Sequence, residues 1–132
     1  MRLIVLLCCL LAQPALAERQ ISPDEFAEMV TSRTMYFDRY GQPFGAEQYF
    51  DDNRVIWAFE GGTCQRGIWF SNSEGDICFV YDNNPVSQCW TFLEVPSGGF
   101  HARLSGADPA DDLVMQGLDE EPLDCPLDDL GV

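Results

Sequence analysis

The sequence contains no lysine and a single histidine, His101, so its positive charge rests on seven arginines set against twenty-two carboxylates. The formal net charge of −15 excludes ready binding to nucleic acid or to anionic membrane surfaces, which such a field repels. The scarcity of bases also narrows catalysis. There is no G-x-S-x-G nucleophile elbow and no C-x-x-C redox pair, and a lone histidine in the alternating segment FHARL (100–104) reads as a structural polar residue. Thirteen acids precede residue 106, yet nothing singles out two of them as a glycosidase-like pair. A zinc site would want closely spaced cysteines or further histidines, and the D-x-D-x-D-G spacing of a calcium loop is absent. The clusters Asp108, Asp111, Asp112 and Asp119, Glu120, Glu121 gather hard oxygen ligands. Asp108 followed by Pro109 fits better as the cap of a helical turn running into Leu113, Val114 and Met115. The expectation is a chain with no catalytic residue, no metal and no cofactor.

Long apolar runs are also missing, apart from Leu3 to Leu11, which is too short to span a bilayer as a helix. Preceded by Arg2 and followed by Pro14-Ala15-Leu16-Ala17, it reads as a secretory signal peptide over residues 1–17 that carries away Cys8 and Cys9. An exported, periplasmic or secreted protein without a membrane span is expected. Cys64, Cys78, Cys89 and Cys125 then lie in an oxidising compartment, where two structural disulfides are the default. Three connectivities are possible. Pairing 78 with 89 and 64 with 125 is preferred, because the first is local and the second ties down an acidic C-terminal stretch.

What is present is a helix followed by strands. Ser22-Pro23-Asp24-Glu25 forms a capping-box signature, and Phe26, Met29 and Val30 share one helical face over about three turns. From Thr34 the pattern changes to short aromatic and β-branched runs separated by turn residues at roughly eight-to-twelve-residue spacing. The fold class expected is α+β: a short N-terminal helix packed on a curled antiparallel β-meander of about six strands, barrel-like in tendency. It occupies residues 18–105. Residues 106–132 hold nine carboxylates and no aromatic, and are expected to form an acidic, loosely structured tail.

A tight turn at Asn83-Asn84 would place Cys78 opposite Cys89 and Val80 opposite Ser87, with Pro85 as the residue able to disturb that register. Phe79, Tyr81, Trp90 and Phe92 then project from one face, joined by Trp69 paired with Ile77. This aromatic face, together with the helix stripe, is the expected core.

The capped helix, TMYF (34–37), GAEQYF (45–50), RVIWAF (54–59), the G-x-C-x-x-G-x-W pattern from Gly62 to Trp69, I-C-F-x-Y (77–81) and Cys89-Trp90 resemble a family of small exported bacterial proteins without assigned activity. The resemblance covers roughly residues 22–105. It implies a helix-plus-meander fold and export, and no mechanism.

Two function classes remain. One is a non-catalytic exported β-rich module that binds a protein, peptide or small ligand, favoured by sixteen aromatics in so short a chain. The other is an acidic inhibitor of a cationic exported enzyme such as a lysozyme or protease, steered by charge to a basic partner. The chain is expected to be a monomer.

Overall fold

The computed structural model describes residues 17–126; residues 1–16, on which the expected signal peptide with Cys8 and Cys9 falls, and residues 127–132 lie outside the described residues. A two-residue strand β1 (Arg19–Gln20) leads into helix α1 (Pro23–Val30). Eight strands follow: β2 (Thr34–Arg39), β3 (Gln42–Tyr49), β4 (Arg54–Phe59), β5 (Cys64–Ser71), β6 (Ile77–Tyr81), β7 (Asn84–Glu94), β8 (Phe100–Leu104) and β9 (Leu113–Asp119). Each pairs antiparallel with the next, and β9 returns to pair with β2, so β2 to β9 form a closed up-and-down barrel. Strand β1 lies beside β7 beyond the end of β6.

This corrects the expected six-strand meander and the tail boundary at 105/106. Acids surround Leu113–Asp119 and it has no aromatic, so its sequence pattern resembles a tail. In the fold Leu113 and Met115 turn towards the core, and the strand closes the barrel through Met35↔Leu118 and Phe37↔Met115. The following segment is fastened as well. Thr34 Oγ1 donates to the Glu121 carbonyl at 2.6 Å and Leu123 N donates to Gln48 Oε1 at 3.0 Å. Closure leaves no edge among the eight strands, which removes the usual template for strand-to-strand aggregation.

Helix α1 forms as its cap dictates. Ser22 Oγ accepts from Glu25 N at 3.2 Å, Glu25 returns a bond to Ser22 N at 2.9 Å, and Pro23 occupies the first turn. At eight residues it is shorter than three turns, and it cannot stand without tertiary contacts. Phe26 and Val30 are fully buried. The Phe26 ring meets Tyr49, Trp69 and Phe92 with centroids 5.5, 5.3 and 4.5 Å away, so the helix stoppers one end of the barrel. Burying such a ring stabilises the fold by roughly 1.5–3 kcal/mol.

Two registers differ in detail from expectation. Cys78 does lie opposite Cys89, but the β6–β7 turn is Asp82-Asn83, with Tyr81 paired to Asn84 and a bulge between Phe79 and Tyr81 that absorbs the slip. Trp69 pairs with Phe79, and Ile77 with Ser71. Asn72 Oδ1 accepts from both Glu74 N and Asp76 N, which tightens the intervening turn and lets β5 run on to Ser71. Because the difference is two residues, every side chain keeps its face.

Disulfides join Cys64 to Cys125 and Cys78 to Cys89. No helix among the described residues is long and apolar enough to cross a membrane.

Candidate functional site

The barrel is stoppered at one end and open at the other. Strand polarity gathers four connections at the open end: Tyr40-Gly41, Glu60 to Thr63, Asp82-Asn83, and Ser105 to Asp112. Tyr40 and Gly41 both have positive φ, 51° and 74°, the backbone that a two-residue hairpin turn requires. Below these loops lies a cavity of about 630 Å³ whose walls include Phe37, Trp57, Phe79, Trp90 and Phe92. That volume falls within the range of small-molecule pockets.

The cavity exists because two inward positions carry no side chain. Gly45 and Gly67 are in phase with the inward residues Glu47, Tyr49 and Trp69 on their strands. A Cβ on Gly45 would stand 2.5 Å from the Trp57 ring, and one on Gly67 would stand 2.4 Å from the Val80 carbonyl oxygen and 2.7 Å from the Tyr81 ring. The Trp57 and Tyr81 rings therefore take up the space beside these glycines that a side chain would need. The inner surface is largely aromatic, with Trp57 packed against Phe37, Phe44 and Phe59 at centroid distances of 6.2, 5.9 and 5.3 Å.

Two ionisable side chains, one acidic and one basic, reach this aromatic surface. Glu47 is 3% exposed, and its carboxyl oxygens lie 2.8 and 3.1 Å from the Tyr81 hydroxyl, which donates to them. Burial pushes the Glu47 carboxyl up to about 8, a rise only partly offset by the Tyr81 hydrogen bond. At neutral pH the group is mainly protonated, so the depth of the cup is polar but uncharged. Burial and the neighbouring Glu47 likewise raise the Tyr49 and Tyr81 phenols, which stay neutral.

Arg39 sits nearer the mouth, next to the β2–β3 turn. Its guanidinium stands over the Tyr40 and Phe44 rings, 5.1 and 5.5 Å from their centroids, while its Nε is buried without a hydrogen-bond partner. Tyr40 is held in turn by donating its hydroxyl to Asp111 Oδ1. Around the opening Tyr40, Phe59, Val86 and Leu104 are large apolar side chains left exposed.

The residues singled out from sequence lie elsewhere. The four cysteines are all disulfide-bonded and are not among the residues lining the cup. His101 Nδ1 lies 3.2 Å from Asp112 Oδ2, on the opposite side of its strand from inward Ala102. Arg103 grips the same carboxylate at 2.8 and 2.7 Å and reaches Glu18 at 3.1 Å, a set that clamps the β8–β9 connection. These carboxylates hold the Arg103 guanidinium more firmly protonated than usual. Asp108 caps a single 3₁₀ turn (Pro109–Asp111) by accepting from Ala110 N, and Leu113 to Met115 continue as strand rather than helix. Among the described residues no group of three or more His, Cys, Asp or Glu side chains is placed to hold a metal ion.

Glu47, Arg39, Gly45 and Gly67 were missed by sequence reasoning, although a signal existed. In TMYFDR the arginine falls in phase with Met35 and Phe37, and in GAEQYF the glutamate falls in phase with Tyr49. A charge in the core phase of a strand is costly to bury, so it asks for a function or a partner. No family model, no curated protein and no solved structure matches the chain.

Proposed function

We propose that the protein is an exported, non-catalytic binding module whose barrel cup takes one small, largely apolar molecule. The observation that carries this reading is the aromatic-walled cavity of about 630 Å³, stoppered by Phe26 and held open by Gly45 and Gly67. Eight-stranded barrels have an interior just wide enough to be filled by their own side chains or to hold one small ligand. The two glycines tip this barrel towards the second arrangement. Export is supported by the two disulfides, which persist in oxidising compartments.

Titration with the neutral apolar fluorophore N-phenyl-1-naphthylamine tests the reading. One saturable site per chain is expected, with energy transfer from Trp57 and Trp90, which line the cup. Ala102→Phe, which projects a ring into the lumen from a wall residue 1% exposed, should abolish binding while circular dichroism shows the fold retained. Absence of saturable binding, or undiminished binding to the folded Ala102→Phe protein, would refute the proposal.

A further inference from the structure

Arg39 is anomalous in this chain. With twenty-two carboxylates present, Arg19, Arg54, Arg66 and Arg103 each pair with at least one of them, and Arg33 donates to the Met29 carbonyl. Arg39 has no carboxylate partner among the described residues, although acids outnumber arginines three to one. Its chain is instead spread over Tyr40 and Phe44 beside the mouth of the cup, with one guanidine nitrogen buried and unsatisfied. Apart from a side-chain interaction with the Tyr40 hydroxyl, this planar guanidinium lying on aromatic rings has donors left over for an oxyanion, which it can bind through charge-assisted hydrogen bonds.

We infer that the natural ligand is a monoanionic amphiphile, an apolar body ending in a carboxylate, bound with its body in the cup and its carboxylate on Arg39 at the mouth. The inference rests on the cup reading above and adds the head group and the orientation. Three observations fix the class. The net charge of −15 opposes free small anions at long range, so an anion needs an apolar body to bring it to Arg39. The aromatic walls supply the matching surface for that body. The deep end presents Glu47 hydrogen-bonded to Tyr81, which gives a second carboxylate no cation to pair with, so the head points outward. Exposed Tyr40, Phe59, Val86 and Leu104 give the entering body an apolar path.

The test displaces bound N-phenyl-1-naphthylamine with decanoate, 1-decanol and acetate from the wild-type protein and from Arg39→Gln, which keeps hydrogen-bond donors and loses the charge. Wild type should bind decanoate about tenfold or more tighter than decanol, the discrimination expected of a charge-assisted hydrogen-bonded pair. Acetate should not compete at comparable concentration. In Arg39→Gln the ratio of decanoate to decanol affinity should collapse towards one, and circular dichroism together with residual decanol binding shows that the variant is folded. Equal binding of decanoate and decanol by wild type, a preference that survives Arg39→Gln, or acetate competing as well as decanoate would each overturn the inference and leave the cup reading standing. Failure of the fluorophore itself to bind would overturn both.

Discussion

Replacement of Glu47 by glutamine should change how stability depends on pH more than any other single substitution in the barrel. The carboxyl is buried and titrates near 8 in the folded protein, against 4.5 for the solvated group. Below pH 4.5 both folded and unfolded chains carry the proton, and Glu47 has no pH-dependent effect. Between 4.5 and about 8 the unfolded chain releases its proton and the folded one keeps it, so stability falls as pH rises through that window. Above about 8 the loss is complete. At about 1.4 kcal/mol per pH unit, the shift from 4.5 to about 8 corresponds to roughly 4–5 kcal/mol in full and roughly 3 kcal/mol by pH 7. Glutamine keeps an acceptor for the Tyr81 hydroxyl and does not titrate. Ion pairs at the surface, such as Arg19 with Glu25 and Arg54 with Asp52, are common to both proteins and cancel in the difference. Thermal unfolding followed by circular dichroism from pH 4 to pH 9 should therefore show Glu47→Gln gaining on wild type as pH rises, by on the order of 10 °C in Tm across the window. Parallel curves for the two proteins would mean that Glu47 is ionised inside the barrel and that the uncharged floor of the cup has been misassigned.

Gly67→Ala should destabilise the fold by about 1–3 kcal/mol in chemical denaturation, because the added carbon meets the Val80 carbonyl and the Tyr81 ring at less than contact distance; an unchanged midpoint would contradict the wall geometry. Truncation after Ala107, with Cys64→Ser to remove the odd thiol, deletes β9 and should abolish cooperative thermal unfolding, whereas a sharp transition would show that the barrel closes without it.

How much of this was legible in the sequence varied with the range of the interaction involved. The capping box at Ser22 and Glu25 and the opposition of Cys78 to Cys89 depend on residues within a few positions or one hairpin, and local patterns report local structure well. The aromatic face of Trp69, Phe79, Trp90 and Phe92 was readable because a register difference of two residues preserves alternation. The closure of the barrel was not readable. LVMQGLD has few strong strand formers, and its partner TMYFDR lies at the other end of the described chain, so nothing near either segment announces the pairing. The cup was hidden for a related reason. A glycine inside a strand reads as a weak position, and only the rings of Trp57 and Tyr81, brought over from neighbouring strands, turn Gly45 and Gly67 into space.

Closure through β9 and β2 also dictates an order of events as the chain is made. Thr34 and the Glu121 carbonyl that it reaches are separated by 87 residues, so β2 must wait with one flank unpaired until nearly the whole described chain has been synthesised. Such distant pairing folds slowly, because the entropy of joining far-apart segments is lost before their contacts form. Cysteine chemistry runs on the same clock. Cys78 meets Cys89 across a separation of 11, while Cys64 must wait for Cys125 across 61 and meanwhile finds Cys78 the nearest thiol along the chain. Early oxidation therefore closes the local 78–89 bridge first, which removes Cys78 as a competitor, and the yield of native protein from an oxidative refold is set by how quickly Cys64 meets its late partner.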